Sequence, residues 1–386
     1  MAVVGIVAEY NPFHAGHAWQ IAELRRRLGA DTPVVVAMSG QFVQRGDAAL
    51  FRKHARAECA VRGGADLVFA LPTGASLSSA EGFAAAGVEL LAATGLVDTL
   101  VYGAECGSNA PLRRIAEVQA SPDYAPALKA ALKTGVSFAS ARETALFSLI
   151  GEEARYTEQP NHILGIAYET AVRRTALTTL ALPRFGSSHD GYASASYVRD
   201  LLLRGEDASP FLPAATLEIY ERERRADRAP ASLLNAERAV LARLRALKED
   251  DLIPFDEGNE GLYRRFYTAA HTAKSIEELL TLAKTKRYAH ARLRRMLLRV
   301  WLGLTGGAEI NYLPILAASE RGCALLKEMK GRTQVPLLTK PADARRFEGK
   351  ALDAFLDECR ASDLYALLFP RPGESDREWR ESPVML

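Results

Sequence analysis

The stretch Ala2-Val3-Val4-Gly5-Ile6-Val7-Ala8-Glu9-Tyr10-Asn11-Pro12-Phe13-His14-Ala15-Gly16-His17 decides how the rest of the chain is read. Ala2 to Ala8 is an unbroken apolar run, the pattern of a strand buried on both faces of a parallel sheet. Asn11-Pro12 interrupts it, because the residue before a proline is held out of the helical region. From Gly16 the apolar spacing becomes helical, through Trp19, Ile21, Ala22 and Leu24 to the basic turn Arg25 to Arg27. His14 and His17 therefore sit where a strand gives way to a helix. A helix start presents free N–H groups and the positive end of the dipole to an anion. Gly16 is expected to leave room there for a ligand to approach the main chain.

Working outward, residues 1–204 alternate strand and helix. Apolar runs at Pro33 to Met38, Asp66 to Leu71, Asp98 to Tyr102 and Leu177 to Leu182 are separated by helical patterns. That alternation predicts an α/β fold with a Rossmann-like parallel sheet, in which ligands bind beyond the carboxyl ends of the strands. The candidate residues fall there. After the second strand comes Ser39-Gly40-Gln41-Phe42-Val43-Gln44-Arg45-Gly46-Asp47, a polar loop with a buried-looking Phe-Val pair, followed by Lys53. Gly103 ends the fourth strand, where a nucleotide could lie against the backbone. Asn161 sits at a helix start. Arg184 and Ser187-Ser188-His189-Asp190 follow the fifth strand. Ser194-Ala195-Ser196-Tyr197-Val198-Arg199 then opens a second anion-binding helix start, with hydroxyls, N–H groups and a guanidinium one turn on. No GxxxxGK[ST] and no early GxGxxG is present, which argues against a P-loop or a dinucleotide-binding fold.

Past Arg204-Gly205-Glu206-Asp207-Ala208-Ser209-Pro210 the character changes, and residues 205–386 are expected to form a mainly helical domain with an irregular end. Lys284-Thr285-Lys286-Arg287-Tyr288 leads a helix on which Tyr288, Arg292, Arg295 and Arg299 share one face and Leu293, Leu297 and Val300 the other. A single-signed, aromatic-led face of this kind suits a phosphate backbone. With a net charge of only +2, a nucleic-acid surface has to come from such local clustering. An apolar share of 48% and a charged share of 25% are those of a soluble globular protein. The four cysteines show no metal-ligand spacing, so no metal site is assigned, and they read as reduced thiols of a cytoplasmic protein. There is no leader pattern and no run long enough to span a membrane, so no membrane partner is expected.

His14-x-Gly16-His17 after a strand resembles the HxGH signature of the nucleotidyltransferase superfamily. The longer string Ala8 to His14 is similar to that of the tRNA(Met) cytidine acetate ligase family. The loop from Ser39 resembles that family's SGNFxQRG, with Gln41 in place of Asn. Leu71-Pro72 resembles its Glu-Leu-Pro, with Ala70 in place of Glu. Tyr102 to Glu105, Pro160 to Gly165, Ser194 to Arg199 and Lys286 to Leu298 resemble later family motifs in the same order. The resemblance implies an ATP-dependent ligase that adenylates acetate and acetylates the wobble cytidine of elongator tRNA-Met, with Mg2+ arriving on ATP. It implies catalytic roles for His14 and His17. It implies ATP contacts from Val7, Ala8, Glu9, Tyr10, Asn11, Pro12, Phe13, His14, Gly16, His17, Gly103, Asn161, Arg184, Ser196 and Arg199. Ser39, Gly40, Gln41, Gln44, Arg45 and Lys53 would form a substrate loop, and Lys286, Arg287, Tyr288, Arg292, Arg295 and Arg299 would meet tRNA. The alternatives are a small-molecule adenylyl- or cytidylyltransferase and a non-catalytic tRNA-binding protein.

Overall fold

The computed structural model describes residues 2–136, 138–184, 194–257, 261–286, 288–306 and 308–386. The strands are β1 (Val3–Ala8), β2 (Val34–Ser39), β3 (Phe42–Val43), β4 (Asp47–Ala48), β5 (Leu67–Leu71), β6 (Val97–Ala104), β7 (Thr178–Pro183), β8 (Leu313–Ala318), β9 (Leu337–Leu338) and β10 (Val384–Met385). The main sheet runs β10-β8-β5-β2-β1-β6-β7, with β9 beside β8, and β3 pairs β4 in a separate hairpin. Its pairs are parallel except β5 with β8. Every residue of β2 and β5 is buried, as their unbroken apolar runs require.

The chain moves from β1 to β2 and β5 in one direction, then returns to place β6 and β7 on the other side of β1. The switch point therefore lies at the carboxyl ends of β1 and β6, where an open α/β sheet leaves a crevice. Helix Ala15–Leu28 starts at one lip of it and helix Pro160–Val172 packs beneath the other.

The expected division at 204 does not hold for the sheet. β8 and β10 come from the last third of the chain, and β8 pairs directly with β5. Nothing in the sequence of Leu313–Ala318 marks its partner. The expected irregular end also does other work. Glu378 reaches Lys53 at 2.6 Å, Glu381 pairs with Arg52, and the last strand closes the sheet edge. The helices between form their own apolar core, and Phe42 is driven into it against Trp301 and Tyr365. Among the described residues no helix is long and apolar enough to cross a membrane.

Candidate active site

His14 is the N-cap of helix Ala15–Leu28, and its Nδ1 accepts from the Gly16 N–H at 3.0 Å. His17 returns the interaction, its Nδ1 accepting from the His14 N–H at 3.3 Å, and the rings stack with centroids 3.8 Å apart. The pair is a capping box built from imidazoles. An Nδ1 that accepts a backbone N–H carries no proton, so each neutral ring keeps its hydrogen on Nε2. Burial pulls the His14 ring down to about 4, with the Arg184 cation adding to it, and holds His17 well below its ordinary value, with His14 and Arg184 adding. Both rings are thus neutral Nε2–H donors at physiological pH.

That assignment predicts a pH profile. If these rings serve the reaction as neutral donors, its rate shows no titration near the ordinary imidazole value of about 6.5. It falls only toward pH 4, where His14 takes a proton and loses its cap bond. A rate–pH series with a protonation midpoint near 6.5 assigned to either ring by NMR would refute it.

The flanking residues divide into those that face the crevice and those that build it. Tyr10 and Phe13 are buried, edge-on to each other at 4.9 Å, and they wall the His17 ring at 4.7 and 5.7 Å. They act as packing around His17, not as open ligand surface. Asn11 is likewise buried: its Oδ1 accepts from Leu50 N at 2.8 Å and its carbonyl from Arg199 at 3.2 Å. Pro12 is buried, while Val7 and Ala8 are half-buried at the strand end. Gly16 serves a different purpose from the one expected. A Cβ there would stand 2.9 Å from the His14 ring, so the missing side chain admits the cap itself.

The second helix start comes to the same place. Ser194 caps helix Ala195–Arg204, and Ser196 Oγ accepts from Arg199 at 3.2 Å and from Arg45 at 2.9 Å. Arg45 N also meets the Glu9 carboxylate at 3.4 Å. Burial pushes the Glu9 carboxyl up, against the opposing pull of Arg45 and Arg199. The third wall is at β6. Glu105, just past Gly103, holds Asn161 Nδ2 at 2.5 Å and Arg184 at 3.4 Å, and it stands 3.3 Å from buried His162. Glu105 and His162 were not predicted, although a carboxylate directly after a strand at the switch point was available as a signal. Ser187, Ser188, His189 and Asp190 lie outside the described residues.

Two residues of the predicted substrate loop, Gln41 and Lys53, are buried. Gln41 is buried, its Oε1 accepting from Lys53 N at 3.1 Å, so it caps helix Lys53–Arg62. Lys53 is only 2% exposed and pairs with Glu378. It lines a small separate pocket with Ala70, Tyr312 and Glu358, none of them a residue of the histidine crevice. Ser39 and Gly40 are buried at the end of β2, while Gln44 and Arg45 lie on the accessible part of the loop.

A family model described as HIGH Nucleotidyl Transferase matches residues 1–379. The tRNA(Met) cytidine acetate ligase of Syntrophomonas wolfei is 35% identical, with 100% of this chain and 99% of that protein covered. The chain belongs to the tRNA(Met) cytidine acetate ligase family. The relative from Caldanaerobacter subterraneus is 34% identical, with 96% of each covered. A crystal structure of Thermotoga maritima TmcAL bound with alpha-thio ATP superposes with a TM-score of 0.91 at 30% identity, covering 100% of both chains. The apo form of the same protein gives 0.92.

In this member of the acetate ligase family the basic helix is His290–Leu302, and its arginine face is not the solvent face that the spacing predicted. Arg299 is 9% exposed, pairs with Glu257 and donates to Leu304 O and Thr305 O at 3.1 Å, capping its own helix. Arg292 reaches the Glu257 carbonyl and stands 3.6 Å from Asp256, and Tyr288 is buried. The acids come from a loop upstream, which a search along the helix could not find. Arg295 donates to Gln44 O at 3.4 Å. Gly46, at φ +77°, lies so close to the helix that a Cβ would be 2.7 Å from Arg295 N. The helix therefore packs against the loop that carries Gln44, Arg45 and Gly46. Lys286, His290 and Arg294 are exposed, and Arg287 lies outside the described residues.

Proposed function

We propose that the chain is a cytoplasmic ATP-dependent ligase that forms acetyl-adenylate and acetylates N4 of the wobble cytidine in elongator tRNA-Met. The observation that carries this reading is the pair of neutral histidines at a helix start, facing a second helix start with Arg199 and Ser196. The family names and the ATP-analogue complex of the Thermotoga protein support it. ATP enters as its magnesium complex. Acetate is already an anionic nucleophile, so its attack on the α-phosphorus needs no general base. It forms a C–O–P linkage and expels pyrophosphate. The site must align the two reactants and meet the charge growing on the phosphate oxygens. His14 and His17 Nε2–H, Arg199, Arg45 and Arg184 are donors for that charge, with Asn161 and Gly103 beside the nucleoside. The cytidine amine then attacks the acetyl carbonyl, AMP leaves and the nitrogen gives up a proton.

Labelled acetate plus ATP should acetylate tRNA-Met transcript, and labelled acetyl-CoA alone should not. Acetylation from acetyl-CoA alone would overturn the adenylate route. RNA docking falls to the exposed cations beside helix His290–Leu302. Lys286→Glu is expected to weaken tRNA binding and lower the salt slope by about one unit, with acetate adenylation unchanged. An unchanged salt titration would remove Lys286 from the interface.

A further inference from the structure

Helix Lys53–Arg62 buries Arg56 completely, at 0% exposure. Its guanidinium donates to Glu9 O at 2.6 Å, Ser39 O at 3.0 Å and Phe51 O at 3.1 Å, and also to Gly40 O. It makes no ion pair among the described residues, unlike Arg52 one turn earlier, which pairs with Glu223 and Glu381. Burying a charge without an ion-pair partner is costly. Tying down carbonyls would need only neutral donors, so a buried cation here calls for a further reason. Glu9 and Ser39 directly follow Ala8 and end β2 respectively. Their segments run on into the histidine loop and into the loop that carries Arg45. Arg56 is the side chain that fastens both loop roots to one rigid planar fork.

We propose that Arg56 is a positioning residue of the adenylation step, holding the histidine loop and the Arg45 loop in register while its fixed positive charge backs the crevice that takes the triphosphate. The inference rests on the ligase reading above. Arg56 touches neither ATP nor acetate in this account. It sets the distance between the donors on the two loops, and a displacement of about 1 Å in such a constellation costs roughly a hundredfold in rate. Burial pulls the guanidinium down to about 10, which still leaves it charged at neutral pH.

The test compares wild type, Arg56→Lys and Arg56→Gln by acetate-dependent ATP–pyrophosphate exchange, with thermal melting to measure the folded fraction. Lysine keeps the charge and loses the fork, and glutamine loses both. The expected result is a kcat per folded molecule lowered about ten- to a hundredfold in Arg56→Lys and further in Arg56→Gln, with the KM for ATP within about threefold of wild type. A purely structural role would lower the melting temperature and leave kcat per folded molecule intact, and that result overturns the proposal. So does a failure of both variants to fold where the wild type does, since Arg56 would then belong to the folding core alone. A wild type without acetate-dependent exchange would instead refute the ligase reading, which keeps the two failures apart.

Discussion

Replacing His17 with alanine lowers acetate-dependent adenylation about a hundredfold or more, the usual loss when one preorganised donor to developing charge is removed. The fixed tautomer of His17 is what makes the expected effect large. His17 Nδ1 is committed to the His14 N–H, and Tyr10 and Phe13 fix the ring plane, so Nε2–H is held in place before ATP arrives. ATP affinity changes much less, because the second helix start and its arginine are untouched. The comparison needs the helix intact, since the substitution also removes one half of the capping box; far-ultraviolet circular dichroism and melting supply that control. Glutamine at the same position, which keeps an N–H donor, recovers part of the rate. A folded His17→Ala variant with more than half the wild-type activity would show that the histidine pair is only a helix cap.

Replacing Glu223 with alanine destabilises the fold by about 3 kcal/mol, the lower end of the cost of breaking a buried ion pair, because buried Arg52 keeps Glu381 but loses its second carboxylate and Arg228 loses both its hydrogen bonds to Glu223. The Glu223 side chain has 0% exposure. It accepts from Arg52 at 2.7 and 3.0 Å and from Arg228 at 2.8 and 3.0 Å, and Arg222 stands 3.6 Å away. The cluster pins helix Ala214–Arg225 to the start of helix Lys53–Arg62. Burial alone would push the Glu223 carboxyl up, but Arg52 and Arg228 outweigh it and hold it down to about 2. A carboxyl lowered in the folded state contributes fully above its unfolded value of about 4.5. That contribution is lost as pH falls from there toward 2. Urea midpoints at pH 7 and pH 3 should therefore differ less for Glu223→Ala than for wild type. Equal pH dependence in the two proteins would contradict this account of the cluster.

The legible parts of the fold are those whose signal is local. β2, β5 and the first four residues of β1 are buried, so their sequences are plain apolar runs, and the histidine turn follows from one proline and one change of period. Phe42-Val43 in a polar loop correctly announced a buried anchor. What failed is what depends on distant partners. β8 looks like any short strand until it meets β5, and β10 is two residues long. Lys53 and Arg299 look like solvated cations because their carboxylates, Glu378 and Glu257, arrive from other segments. Arg56 gives no signal at all, because its partners are main-chain carbonyls that every sequence possesses. Helix Lys53–Arg62 is polar by composition yet buried from Lys53 to Val61, and nothing in its spacing announces that.

On the proposed reading, this crevice activates acetate with ATP before any tRNA is needed. ATP–pyrophosphate exchange with and without acetate, in the absence of RNA, tests it most directly. The expected result is exchange that requires acetate, proceeds without tRNA and disappears in His17→Ala. Exchange that ignores acetate and responds to a small phosphorylated acceptor would contradict it and identify the site as that of a small-molecule nucleotidyltransferase.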